Sequence, residues 1–189
     1  MSASRLSTMK RCRGVIILTL FPLWLPLVGS IDRAQESQAT EYQLKAAFLF
    51  NFAMFVEWPQ RAFAERASPF VIGVLGENPF HDDLRKTLQN KKIDDHPLAV
   101  REVRLVAEAM TNCHLLFISA SEKNRLPEIL QSLKSTSVLT VSEMERFTEE
   151  GGMIKFVLQG TKVRFQINKE TASAAGLKIS SKLMNLAVR

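Results

Sequence analysis

"FVIGVLGENPF", residues 70 to 80, decides the fold class. Its first seven residues form an unbroken apolar run of strand length. Asn78 and Pro79 then supply the N-cap and first residue of a helix expected to reach about Gln89. A strand apolar along its whole length has to be covered on both faces, which is the habit of parallel sheets. "CHLLFIS" (113–119) and "SVLTVS" (137–142) repeat the pattern, the first as a buried central strand, and a more charged strand is expected at 98–104. A helix from Ser121 to about Leu133, limited by Pro127, and a short helix opened by Ser142 and Glu145 and closed at Gly151-Gly152 complete the alternation. Apolar strands alternating with helices imply βαβ pairing with helices on both faces of the sheet.

Upstream lies "KAAFLFNFAMFVEWP" (45–59). Thr40 with Gln43 fits a capping box, and Trp58-Pro59 supplies a stop, so a helix is expected between them. Apolar on nearly every side, it must be covered nearly all round, either by its own domain or by its domain and a partner. Downstream, residues 153–158 and 161–167 alternate about Gln159-Gly160, which reads as a two-residue hairpin turn. That turn places Ile154 opposite Phe165, Phe156 opposite Val163, and Lys155 opposite Arg164 on the other face. Like charges so placed either splay into solvent or sit under an acidic partner or an anion. Asn168 caps a further helix. Gly176 ends it, or the helix runs on unbroken through Ala172, Ala175, Ile179, Leu183 and Leu186; the sequence leaves both open. The expected architecture is α/β, with a mixed, largely parallel sheet of about five to six strands, helices on both faces, and a C-terminal β-hairpin plus helix.

Residues 1–30 have the three parts of a secretory signal: Arg5, Lys10, Arg11 and Arg13, the apolar run 15–28, and a small-residue exit at Val28-Gly29-Ser30. Fourteen apolar residues interrupted by Pro22 and Pro26 fall short of the roughly 20 that span a bilayer. Cleavage after Ser30 leaves a loose start over 31–39 and a single domain over 40–189, without membrane insertion. The leader carries four of the 25 basic residues and none of the 19 acidic ones, so the exported part has a net charge of +2. Nucleic-acid binding loses its electrostatic support.

No catalytic constellation emerges. His81-Asp82-Asp83 sits at an expected helix start, and Asp82 and Asp83 point to different sides. Cys113 and His114 are adjacent on a strand and face opposite ways, so they cannot act as nucleophile and base. Gly73-Val-Leu-Gly76 lacks the third glycine and the lysine of a phosphate loop. No enzyme activity, cofactor or metal is expected. The one place suggested for a small anion or nucleotide is the turn of Asn78, Phe80 and His81. Cys12 leaves with the leader, so Cys113 stands alone in the exported chain, a possible redox thiol or a small buried hydrophobe.

Five segments in order, "KAAFLFNFAMFVEWP", "FVIGVLGENPF", "CHLLFIS", "VLTVSEMERFTEEGGMIKF" and "VRFQINKETASAAGLKISSKLMNLA", carry a resemblance from about Glu41 to Ala187. Here the sequence resembles the YfiR family of small exported bacterial proteins. The resemblance implies an α/β fold, a homodimer, and a periplasmic location. It also implies repression of an inner-membrane diguanylate cyclase through binding of its periplasmic sensory domain, which lowers cyclic di-GMP signalling and so bears on biofilm regulation. Disulfides stabilise such proteins and set their stress response. Cys113 matches a family cysteine but has no second cysteine to pair with. On this reading Phe48, Phe52 and Phe55 of the opening helix, with Lys155, Lys162 and Arg164 of the hairpin, are the expected partner contacts. The alternative is a periplasmic small-ligand or nucleotide-binding sensory module, using the Asn78 turn, for another membrane signalling protein.

Overall fold

The computed structural model describes residues 31–63, 65 and 68–188; the leader expected over 1–30 lies outside them. One helix, α1 (Ile31–Phe55), leads into β1 (Val56–Glu57). The sheet is built from β2 (Phe70–Leu75), β3 (Lys92–Ile93), β4 (His96–Val103), β5 (Leu115–Ile118), β6 (Leu139–Ser142), β7 (Ile154–Gln159) and β8 (Lys162–Ile167), in the spatial order β3-β4-β2-β5-β6-β7-β8. The five strands from β4 to β7 are mutually parallel, and β3 and β8 pair antiparallel at the two edges. This is the expected mixed, largely parallel sheet, enlarged to seven strands. The two-residue β3 was too short to carry a periodic signal.

Each apolar run splits its residues between two cores, because successive side chains point to opposite faces. Phe70, Ile72 and Val74 join Leu115, Phe117, Leu139 and Val141 beneath α1, α2 (Asp83–Leu88), α5 (Lys169–Ala174) and α6 (Ser181–Leu186). Val71, Leu75, Leu116 and Ile118 face α3 (Val106–Asn112) and α4 (Leu126–Leu133) on the other side. Gly73 lies on this second face, where a Cβ would stand 2.7 Å from Cys113 Sγ. None of the described helices is long and apolar enough to cross a membrane.

Several local expectations need correction. α1 begins at Ile31 and takes in residues 31–39, so Thr40 lies within the helix rather than capping it. α2 begins only at Asp83, because Asn78 closes a tight turn on the Phe80 N–H and His81 adopts φ +47°. Residues 145–151 form successive turns and not a helix. Glu149 and Glu150 would place two carboxylates at that helix's negative end. The hairpin turns at Gly160-Thr161, with Gly160 at φ +61°, and pairs Phe156 with Phe165, Leu158 with Val163 and Val157 with Arg164. The register is two residues from the expected one; Lys155 faces Gln166, which removes the like-charge opposition with Arg164.

The last helix question resolves in favour of the break. Asn168 accepts from the Thr171 N–H at the start of α5, and Gly176 at φ +79° ends that helix. β9 (Lys178–Ile179) then pairs antiparallel with β1, and Ser180 caps α6 through the Leu183 N–H.

Candidate functional site

Helix α1 presents Ala46, Leu49, Phe52, Ala53 and, just past its end, Val56 to the core, at the spacing of one helical face. Phe52 is fully buried, its ring 5.6 Å from Phe156 and 5.0 Å from Phe165, and Phe48 packs against the same two rings. Phe52 therefore has no surface to offer a partner: it is four residues from Phe48 and both land on the apolar face of the hairpin. Phe55 is half-buried beneath the Lys182 ammonium, 4.8 Å from its ring, and Lys91 covers Phe50 in the same way. The lysine stems complete the cover that an all-round apolar helix requires. Among the α1 side chains that the structure describes, Leu44 and Met54, 43% and 49% exposed, are the large apolar ones that stand free.

The outer face of β7 and β8 carries Lys155, Val157, Lys162 and Arg164, and of these Lys162 and Arg164 are exposed. Lys155 lies lower, half-buried, donating to the Glu145 carbonyl at 2.6 Å. Beside it opens a cavity of about 460 Å³ whose walls include Glu41, Tyr42, Lys45, Glu143 and Lys155. Lys45 is only 2% exposed, yet it is ion-paired to both Glu41 and Glu143. Tyr42 donates to Glu143 at 2.9 Å, and the Lys45 ammonium lies 4.4 Å from the Tyr42 ring centre. Burial, with the neighbouring Glu143 charge, raises the Tyr42 phenol and keeps it neutral and donating. A buried lysine survives only with such partners. Sequence reading missed this cluster, since Lys45 and Glu143 are 98 positions apart.

The Asn78 turn lies where chain reversal in a doubly wound sheet leaves a crevice, between the C-terminal ends of β2 and β5. Here that crevice is filled. Ser121 Oγ accepts from the Glu77 N–H at 2.9 Å, and a Cβ on Gly76, at φ +88°, would overlap the same hydroxyl. Asn78 spends its amide on Glu102 and on the His81 carbonyl. Phe80 is fully buried, edge-on to Phe117 and Tyr42. His81 is exposed. The three residues are together in the turn, but Phe80 serves the core and Asn78 holds the loop.

Cys113 is 8% exposed, and burial pushes its thiol up to about 11, with Arg101 opposing and Glu108 adding. Its neighbour His114 does face the other side, as alternation demands, and is 7% exposed. His114 Nδ1 accepts from the Val71 N–H at 3.1 Å, and the ring packs against Phe63 and Phe70 at 4.6 and 4.8 Å. His96 also stacks on Phe63, at 4.1 Å. Burial lowers the His114 pKa to about 4; the Ala62 carbonyl opposes this and His96 adds to it. With Nδ1 accepting, the neutral ring carries its proton on Nε2. That nitrogen is buried, and the acceptor that reaches it is the Ala62 carbonyl, at a geometry short of a full hydrogen bond.

No curated protein matches the chain. The profile of the YfiR/HmsC-like family matches residues 42–188, from the first buried turns of α1 to the end of α6 and so nearly all of the described fold. At the family level this implies a periplasmic regulator of diguanylate cyclase rather than an enzyme. With the match spanning both cores, the hairpin and the closing β1–β9 pair, the chain belongs to the YfiR/HmsC-like family.

Proposed function

We propose that the protein, once exported, represses an inner-membrane diguanylate cyclase by binding the periplasmic sensory domain of that cyclase. The family match over residues 42–188 carries this reading. The hairpin supports a docking face. Its inner residues Phe156 and Phe165 are consumed by the α1 core, whereas Lys162 and Arg164 are exposed on the outer face beside Val157, and Leu158, 51% exposed, stands near the hairpin tip on the other face. A basic rim around apolar side chains suits a partner surface with acidic residues. Repression follows from differential affinity, because binding one receptor state more tightly than another moves the population toward it. A change from 1:99 to 99:1 needs a preference of about 10⁴-fold, or roughly 5.5 kcal/mol.

The test is periplasmic cross-linking and capture from the native host, with cyclic di-GMP measured with and without the gene. Capture of a membrane cyclase and a rise in cyclic di-GMP on deletion are expected. Lys162→Glu combined with Arg164→Glu is expected to weaken capture by at least about tenfold while leaving the melting temperature unchanged. A deletion strain with unaltered cyclic di-GMP and no captured cyclase sinks the reading.

A further inference from the structure

The N-terminal ends of β2, β5 and β6 enclose a cavity of about 460 Å³ that no part of the proposed docking face touches. Its walls include Arg61, Arg101, Asn112, His114 and Ser135. Neither arginine is ion-paired to a described residue, and the side chains of Asn112 and Ser135 make no hydrogen bond among the described residues. The wall contains no acidic side chain among the described residues. Glu102 and Glu108 line a separate, smaller cavity of about 210 Å³ that shares Arg101, Asn112 and Cys113 with this one. Both guanidinium groups are near structural neighbours: Arg61 Nη2 would stand 3.0 Å from a Cβ on Gly176, and Arg101 is close enough to Cys113 to favour its thiolate.

We infer that this cavity is a binding site for a small organic anion, held through a carboxylate or phosphate by Arg61 and Arg101. The exposed polar groups named in its wall can all donate: two guanidinium forks, the Asn112 amide and the Ser135 hydroxyl. Fork-shaped donors match the paired oxygens of carboxylates and phosphates. All four side chains are exposed, so an anion would take the place of water on their donors. The volume lies within the usual range of small-ligand sites, about 300–1,000 Å³. The inference does not depend on the cyclase reading, since it concerns the opposite end of the sheet.

Purified protein titrated separately with inorganic phosphate and with succinate tests it and distinguishes the two headgroups. At about ten times its dissociation constant the preferred probe is expected to raise the melting temperature by about 4 °C. It should also shift the NMR signals of the His114 ring and the Asn112 side-chain amide. Arg61→Gln with Arg101→Gln should weaken that binding at least about tenfold. Ser135→Trp, which fills the cavity with both arginines intact, should abolish it. No response to either probe at about 20 mM, or a response that both variants retain, overturns the assignment.

Discussion

The two ends of the central sheet both carry charged side chains and treat them in opposite ways. At the C-terminal end the charges are consumed: Lys45 is ion-paired to Glu41 and Glu143, Tyr42 donates to Glu143, and Ser121 closes the crevice where α/β folds ordinarily take a ligand. At the N-terminal end Arg61 and Arg101 have no ion-pair partner among the described residues. A paired cluster holds structure in place, and an unpaired one is available for something else. The fold has used the customary ligand position for packing.

The sharpest way to break this contrast is to unpair the paired end. Glu143→Ala strands Lys45, which is 2% exposed, with Glu41 alone and removes the Tyr42 acceptor. A loss of about 3–4 kcal/mol is expected in urea unfolding. Lys45→Met, which keeps the stem, should cost clearly less, because both carboxylates retain about a quarter of their exposure. Equal losses would mean that the stem rather than the charge matters.

The next effect belongs to the other end. His114 is held neutral at a pKa near 4 against an ordinary 6.5, so the unfolded chain takes up its proton first as pH falls. Its contribution is complete above pH 6.5 and is lost on the way down to pH 4, a loss of about 3 kcal/mol. His114→Gln should flatten the stability profile across that window. An unaltered slope would show that another group governs it.

The smallest effect concerns the closed crevice. Gly76→Ala meets both the positive φ and the Ser121 hydroxyl, and should cost about 2 kcal/mol. Adding Ser121→Ala should recover the steric part only. Full recovery would show that the backbone conformation is not strained.

What could be read beforehand follows from where the information lies. Phe70–Leu75 and Leu115–Ile118 were legible because strands buried on both faces are written as continuous apolar runs. Helix α3 was not: it is seven residues long, buries only Ala109, and starts without a side-chain cap. The hairpin register slipped by two because such a shift keeps every residue on its own face, so alternation cannot detect it. Phe48 and Phe52 gave themselves away as apolar, but whether a domain's own sheet or a partner covers them is decided by Phe156 and Phe165, far along the chain. The polar clusters were invisible for the same reason: Lys45 needs Glu143, and Arg61 needs Arg101.

The β1–β9 ribbon, which ties Val56 to Ile179 and lets Phe55 accept from the Ser180 N–H, also joins the two ends of the domain in chain order. Helix α1 emerges first, yet the hairpin, β9 and α6 that complete its cover emerge last. Pairings so distant along the chain form slowly. Until those elements are present, the apolar face of α1 has no complete cover within its own domain.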